Sequence, residues 1–154
     1  MDKIRIGIVG SGGMAKRHTE TFGQMAECRL MAVASRNSDT GPSLAAQYGM
    51  EFLPDWRTLL DRKDVDAVVI CTHNDSHSQI AIPALEAAKH VFVEYPATRS
   101  LSDAARLEGL VETSRCVLRV AHNENVSASH RALKAQARSM GDLLTALFSR
   151  LTPG

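Results

Sequence analysis

Aromatic side chains and an excess of one charge are both lacking in this sequence of 154 residues. Aromatic residues make up 5% of the chain, and 18 lysines and arginines nearly balance 17 aspartates and glutamates, for a formal net charge of +1 at pH 7. Nucleic-acid-binding surfaces need basic patches and, for single strands, aromatic stacking platforms. The composition therefore argues against a nucleic-acid partner, and no strong field draws the chain to an anionic membrane.

Cysteine and long apolar runs are also scarce. The three cysteines, Cys28, Cys71 and Cys116, are widely separated. An odd number without a CxxC motif argues against a disulfide framework or a zinc ribbon. The N-terminus lacks the apolar stretch of a signal peptide, and no run approaches the roughly 20 apolar residues of a membrane span. We therefore expect a cytoplasmic protein without a membrane partner.

Strand-like and helix-like segments alternate through most of the chain. The predicted strands are Ile4 to Val9, Leu30 to Ala34, Glu51 to Leu53, Ala67 to Cys71, Val91 to Glu94 and Cys116 to Ala121. The predicted helices are Met14 to Met25, Ser43 to Tyr48, a turn from Asp55, Ser76 to Lys89 with a kink at Pro83, and one capped by Ser100 that ends near Ser114. This alternation predicts an α/β fold with a doubly wound parallel sheet.

The last stretch departs from this alternation. Val126 to Arg138 predicts a helix, and Leu143 to Leu151 predicts a strand with apolar side chains on both faces. Such a strand needs partners for its backbone and its apolar surface, so we expect a homo-oligomer, in the simplest case a dimer. The strand either adds to the sheet edge or begins a further α+β domain. We therefore divide the chain into a domain of residues 1–122 and a segment of residues 123–154.

A glycine-rich turn follows the first predicted strand and opens the first predicted helix. Its sequence, Gly10-Ser11-Gly12-Gly13-Met14-Ala15, matches the dinucleotide-binding pattern G-x-G-x-x-[GA]. Gly10 permits the tight turn, Gly12 lets the backbone approach a pyrophosphate, and Ala15 lets the helix pack closely on the strand. The free N–H groups at the helix N-terminus attract an anion. We therefore predict a Rossmann fold whose residues 10–14 bind a dinucleotide.

The residues after the second predicted strand bear on which dinucleotide binds. An Asp or Glu there would hydrogen-bond the adenosine ribose and favour NAD. The sequence has Ser35 and Arg36 instead, a hydroxyl and a guanidinium that can both bind a phosphate. This pair favours NADP over NAD. The alternative is that Arg36 is an ordinary solvated charge.

Polar residues recur where the predicted strands end, which is where open parallel sheets bind ligands. We predict that the cofactor is contacted there by Thr72, His73, Asn74, His77, Glu94 and Asn123.

His73 and His77 have a spacing found in some zinc sites, but His73 falls in a loop and no third ligand stands out, so we predict no metal. His77 more simply caps or orients the helix start. His18 and His130, on predicted helices, are interpreted as surface or packing residues.

The run from Val68 to Pro96 resembles the Gfo/Idh/MocA family of oxidoreductases. Thr72, Asn74 and His77 match that family's T-x-N-x-x-H loop, residues 84–91 match A-L-x-A-x-K-H-V, and residues 94–96 correspond to E-K-P. The resemblance implies an NAD(P)-dependent dehydrogenase or reductase that acts on small molecules such as sugars, inositols or related hydroxy compounds. It also implies a C-terminal domain that carries much of the substrate site and the oligomer interface.

Two positions depart from the family pattern. The resemblance implies that Glu94 and the residue after it are catalytic, but Tyr95 replaces the family lysine. A phenol can donate a hydrogen bond or a proton but supplies no cation; its alternative role is packing beside Pro96. After the sixth predicted strand the family's Y-N-R-R-F reads His122-Asn123-Glu124-Asn125-Val126, without either arginine.

The sequence therefore predicts an NAD(P)-dependent oxidoreductase of which this chain is the cofactor-binding part, inactive by itself. The alternative is a non-catalytic dinucleotide-binding or regulatory module, which Tyr95 and the short chain favour. A reading frame that continues past Gly154 would favour the enzyme, and a natural stop there would favour the module.

Overall fold

A computed structural model describes residues 2–122 and 127–137 of the chain. The predicted strand from Leu143 to Leu151 and the predicted site residue Asn123 lie outside these residues. The chain divides into two units, Met1–Ala121 and His122–Gly154.

Six parallel strands form one sheet in the first unit. They are β1 (Ile4–Val9), β2 (Cys28–Ala34), β3 (Glu51–Leu53), β4 (Ala67–Ile70), β5 (His90–Val93) and β6 (Leu118–Val120). Their order in the sheet is β3-β2-β1-β4-β5-β6. The direction of winding reverses between β1 and β4, which opens a crevice at the carboxyl ends of these two strands. The predicted doubly wound parallel sheet is confirmed.

Helices connect these strands. They are α1 (Gly13–Gly23), α2 (Thr40–Tyr48), α3 (Trp56–Leu60), α4 (His77–Glu86) and α5 (Leu101–Thr113), and the second unit contains α6 (Ala128–Ala137). Side chains cap two of them. Ser100 Oγ accepts from the Asp103 N–H at 3.4 Å, as predicted, and Asp55 Oδ1 accepts from the Arg57 N–H at 3.0 Å at the predicted start of α3. None of the described helices has the length and apolar character needed to cross a bilayer.

Several element ends differ from the prediction. The helix α4 continues past Pro83 but ends at Glu86 rather than Lys89, because Ala88 adopts a left-handed φ of 56°. The strands β4 and β5 each end one residue earlier than predicted, so that Cys71 and Glu94 lie just beyond them. This difference places both residues at the carboxyl edge of the sheet.

The sheet is buried on both faces. Alternate residues of a strand point to opposite faces, and in β4 Val68 and Ile70 join one apolar cluster while Val69 joins the other. All three are at most 2% exposed. The continuous apolar run predicted for this strand is therefore explained by helices on both sides of the sheet.

Lys89 is buried at the opposite, amino edge of the sheet. The residue is 8% exposed. Its Nζ donates to the carbonyls of Arg62 at 2.6 Å and Val65 at 2.8 Å. The ammonium group thereby ties the chain entering β5 to the chain entering β4. The lysine of the A-L-x-A-x-K-H-V match thus has a structural role, remote from the polar residues at the carboxyl edge.

Replacing Lys89 with Met should lower the free energy of unfolding by about 2–3 kcal/mol, because one buried carbonyl and one partly buried carbonyl would lose a charged donor. Urea denaturation with an unchanged slope would measure this loss. Lys63→Met, at an exposed position, is the matched control and should change stability by less than about 0.5 kcal/mol. A Lys89→Met variant as stable as the parent chain would show that the two carbonyls do not depend on the ammonium group.

Candidate dinucleotide site

The glycine-rich turn lies against the end of β4. Gly10 has a φ of 108°, in the region that favours glycine, and a Cβ built on it would lie 2.6 Å from the carbonyl oxygen of Cys71. Its N–H donates to the Ala34 carbonyl at 2.8 Å, so the turn is also attached to β2. No other residue type fits this position without displacing β4.

Gly12 and Gly13 meet the opposite situation. A Cβ built on either of them has no heavy atom of the described chain within 4 Å. Gly12 is the N-cap of α1 in an extended conformation that other residues also adopt, so the fold does not require glycine here. The missing side chains leave the N-terminal N–H groups of α1 accessible, which is the requirement for binding an anion.

Three hydroxyl groups converge beside this turn. Ser11 Oγ lies 2.7 Å from Ser35 Oγ and 2.6 Å from Thr40 Oγ1, and the Asn37 N–H donates to Ser35 Oγ at 3.1 Å. Three hydroxyls carry three protons, and the two bonds among them use two. One hydroxyl proton of this cluster of Ser11, Ser35 and Thr40, which we call the hydroxyl cluster, is left for an outside acceptor.

Arg36 follows Ser35 of the hydroxyl cluster, in the loop between β2 and α2. It is exposed, and it forms no ion pair with any residue that the structure describes. Ser35 and Arg36 are both residues that the sequence predicts to bind a phosphate. Thr40 was missed, because its hydroxyl reaches the cluster only through the way α2 packs, and a threonine at a helix start is otherwise an ordinary cap.

The loop after β4 and the first residue of α4 contain four of the predicted site residues. Thr72 is half-buried and its Oγ1 accepts from Ser76 Oγ at 2.8 Å, whereas His73 and Asn74 are exposed. His77 is fully buried, with Nδ1 2.7 Å from the Pro96 carbonyl oxygen and Nε2 3.0 Å from the Thr72 carbonyl oxygen. Its ring thereby connects the loops after β4 and β5, and it leaves no surface for direct contact with a ligand.

Glu94 lies just beyond β5, where its N–H donates to the Ile70 carbonyl at 3.0 Å. Its Oε1 is 2.5 Å from Nε2 of His18 on α1, and the two side chains are only 15% and 13% exposed. The predicted packing role of His18 is therefore only part of what this residue does. Its ring does pack edge-on against Phe92, at 5.1 Å between centroids, but its nitrogen reaches the carboxylate predicted to be catalytic.

The position of His18 in the sequence could have indicated its buried contact. Ala15 and Thr19 are buried on α1, and Phe22 is half-buried, so the face at these positions lies on the sheet. His18 falls at the helical spacing of this face, three residues after Ala15. A polar side chain on an otherwise core-facing stripe needs a partner, and that requirement pointed to a buried contact.

Two residues near Glu94, Tyr95 and Cys71, differ in their exposure to solvent. Tyr95 is 62% exposed and is joined to Pro96 by a cis peptide bond. Burial, together with the charge of Glu94, raises the pKa of the Cys71 thiol to about 12. Cys71 is therefore a protonated thiol at neutral pH and a poor nucleophile.

Asn123 lies outside the described residues, so its predicted contact with the cofactor stays a prediction. The other predicted site residues lie in the four segments that follow the carboxyl ends of β1, β2, β4 and β5. Among the described residues, no group of three His, Cys, Asp or Glu side chains could hold a metal ion.

The chain matches one family of known proteins. A model described as "Oxidoreductase family, NAD-binding Rossmann fold", that of Gfo/Idh/MocA, matches residues 4–122. The dTDP-3,4-didehydro-2,6-dideoxy-alpha-D-glucose 3-reductase of Saccharopolyspora spinosa is 37% identical over 117 residues, which are 75% of this chain and 35% of that protein. The myo-inositol 2-dehydrogenase of Thermotoga maritima is 27% identical over 132 residues, which are 85% of this chain and 40% of that protein.

Solved structures give the same match. Biliverdin reductase from Synechocystis sp. PCC 6803, in complex with biliverdin and NADP+, superposes with a TM-score of 0.85 and 29% identity over 90% of this chain and 44% of that one. KijD10, a 3-ketoreductase from Actinomadura kijaniata in complex with NADP, superposes with a TM-score of 0.82 and 27% identity over 90% of this chain and 44% of that one. The chain thus spans about two fifths of the length of the relatives it matches.

Replacing Gly12 with Val should weaken dinucleotide binding by at least about 100-fold and leave the fold unchanged. The new side chain would meet no protein atom but would occupy the space of the pyrophosphate. Calorimetric titration with NADPH measures the first effect, and circular dichroism with thermal melting measures the second.

Gly109→Val is the matched control, because a Cβ at Gly109 also meets no neighbouring atom and the residue lies in the middle of α5. It should bind NADPH like the parent chain. Unchanged affinity in the Gly12→Val variant would remove this turn from the binding site.

Proposed function

Since this chain belongs to the Gfo/Idh/MocA family of oxidoreductases, with an NAD-binding Rossmann fold, we propose that it binds NADP as the cofactor-binding part of a dehydrogenase or reductase. The observation that carries the proposal is the glycine-rich turn. Gly10 lies so close to the end of β4 that a Cβ would clash there, whereas Gly12 and Gly13 leave the start of α1 open. This is a cradle that a Cβ would fill, and a pyrophosphate fits it.

The preference for NADP over NAD rests on the hydroxyl cluster and Arg36. The adenosine ribose would lie at the end of β2, where its 2′-phosphate would accept the spare hydroxyl proton and pair with the guanidinium. The absence of an acidic residue at positions 34–37 removes the usual partner of an unphosphorylated ribose. The relatives from Synechocystis and Actinomadura kijaniata, whose structures contain NADP, support the same choice.

The nicotinamide half would lie over the ends of β4 and β5. Thr72, Asn74 and Glu94 would line it there, with Asn123 as a further proposed contact. The bound nicotinamide supplies or accepts the hydride. Tyr95, exposed beside Glu94, would donate a hydrogen bond or a proton to the oxygen of the substrate, in place of the family lysine.

The proposed substrate is a sugar, an inositol or a related hydroxy or carbonyl compound, which is the chemistry named for the relatives from S. spinosa and T. maritima. We assign residues 1–122 to cofactor binding and residues 123–154 to the start of a substrate and oligomerisation domain. In this proposal the protein is a cytoplasmic homo-oligomer, with a dimer as its simplest form.

A second candidate is a dinucleotide-binding or regulatory module without hydride transfer. One observation favours it: the position of the family lysine holds Tyr95, which supplies no cation. Both candidates require the cofactor, so they differ in turnover and not in binding.

Calorimetric titration should show that the chain binds NADPH at least about tenfold more tightly than NADH, since a charge-assisted phosphate contact is worth about that factor. Arg36→Ala should lose that preference by weakening NADPH binding and leaving NADH binding unchanged. Arg115→Ala, which also removes an exposed arginine, is the control and should preserve it. Equal affinities for the two cofactors in the parent chain would refute the assignment of NADP.

The chain alone should bind NADPH without oxidising it in the presence of sugars, inosose-type ketones or aldehydes. Hydride transfer needs the substrate carbon held close to the nicotinamide, and lost positioning alone costs several kcal/mol of barrier, of the roughly 7–11 that positioning can supply. The comparison is between this chain, its Tyr95→Lys variant and a longer natural form. Turnover in the longer form but not in the chain supports the enzyme, and turnover in neither supports the regulatory module.

A further inference from the structure

The contact between His18 and Glu94 joins the two halves of the proposed site. Gly13 begins α1 at the phosphate-binding turn, and His18 lies five residues further on, about 7.5 Å along the helix axis. Its Nε2 lies 2.5 Å from Oε1 of Glu94, beyond the end of β5. One helix thus carries both the anion-binding N-terminus and the side chain that holds this carboxylate.

Aromatic packing holds the His18 ring in place. The ring makes an edge contact with Phe92 at 5.1 Å and a tilted contact with Phe22 at 6.2 Å between centroids. Phe22 and Phe92 in turn pack edge to face at 6.0 Å. A ring held in this way has little freedom to turn its nitrogen away from the carboxylate.

The segment that begins with Glu94 is also held by a histidine at its other end, Pro96. His77 contacts the Pro96 carbonyl oxygen at 2.7 Å and is fully buried. The short segment Glu94-Tyr95-Pro96 is therefore attached at its first residue through a side chain and at its last through the backbone. Tyr95 lies between these attachments with its ring largely exposed.

We propose that His18 is a positioning residue that holds Glu94 in place for the nicotinamide half of the cofactor. The inference rests on the proposed function, since it requires the dinucleotide to lie in this crevice. Without His18 the carboxylate would be left largely buried and short of its donor, so it would turn toward water. The adenosine half, bound at Gly12 and the hydroxyl cluster, would not be affected.

Two ligands separate these halves. NADPH contains the nicotinamide, whereas 2′-phospho-ADP-ribose has the same adenosine 2′-phosphate and pyrophosphate without it. His18→Phe keeps an aromatic ring against Phe22 and Phe92 but removes the donor. It should weaken NADPH binding about tenfold, the worth of a charge-assisted hydrogen bond, leave 2′-phospho-ADP-ribose binding within twofold, and change the fluorescence emission of bound NADPH.

Further variants keep the result interpretable. His18→Gln retains an N–H donor and should restore NADPH binding to within about threefold of the parent chain. Glu94→Gln should weaken NADPH binding as His18→Phe does, and the double variant should be no weaker than either single one, because the pair acts as a unit. His130→Phe, the same substitution on α6, should change neither affinity.

Three outcomes would overturn the inference. Unchanged NADPH affinity in a folded His18→Phe variant means that the ring only packs. Equal weakening of both ligands means that His18 acts through the stability of α1 and not through Glu94. Failure of the parent chain to bind either ligand overturns the proposed function and this inference with it. If the parent chain binds both ligands, the affinities of the variants test only the role of His18.

Discussion

The contact of Gly10 with the end of β4 determines where the rest of the site lies. The backbone of the turn comes so close to the Cys71 carbonyl that a Cβ would fall 2.6 Å from it. Because the turn is held there, α1 starts at a fixed height above the sheet and points its N–H groups into the crevice. The same start fixes His18, and hence the carboxylate of Glu94, by the regular rise of the helix.

Local chemistry explains why most of the fold was predictable. The alternation of strands and helices, the capping residues Asp55 and Ser100, and the continuous apolar run of β4 each depend on neighbours in sequence. The strand order then follows from the preference for right-handed crossovers and from the position of the glycine-rich turn. The ends of elements were less accurate, since the left-handed Ala88 that ends the α4 region has no sequence signature comparable to glycine.

The site was predictable where a residue type has one use and unpredictable where it depends on a distant partner. Gly10 and Gly12 are recognisable because a strand and a helix flank them. Thr40 and His18 were missed because their partners, Ser11 and Glu94, are 29 and 76 residues away. His77 was recognised as an orienting residue, but only the structure shows that it contacts two carbonyls from separate loops.

In the proposed function, the hydroxyl cluster makes cofactor choice a shared property of two loops. Ser35, the residue that an engineer would replace with an acid to recruit NAD, is bonded to Ser11 of the phosphate-binding turn. A carboxylate introduced at position 35 would be larger than the hydroxyl of Ser35 and would accept the proton of Ser11, so the hydrogen bonds at positions 11 and 40 would have to rearrange with it. Across natural variation, this linkage predicts that residues at positions 11, 35 and 40 are exchanged together, so that cofactor preference evolves in steps of more than one substitution.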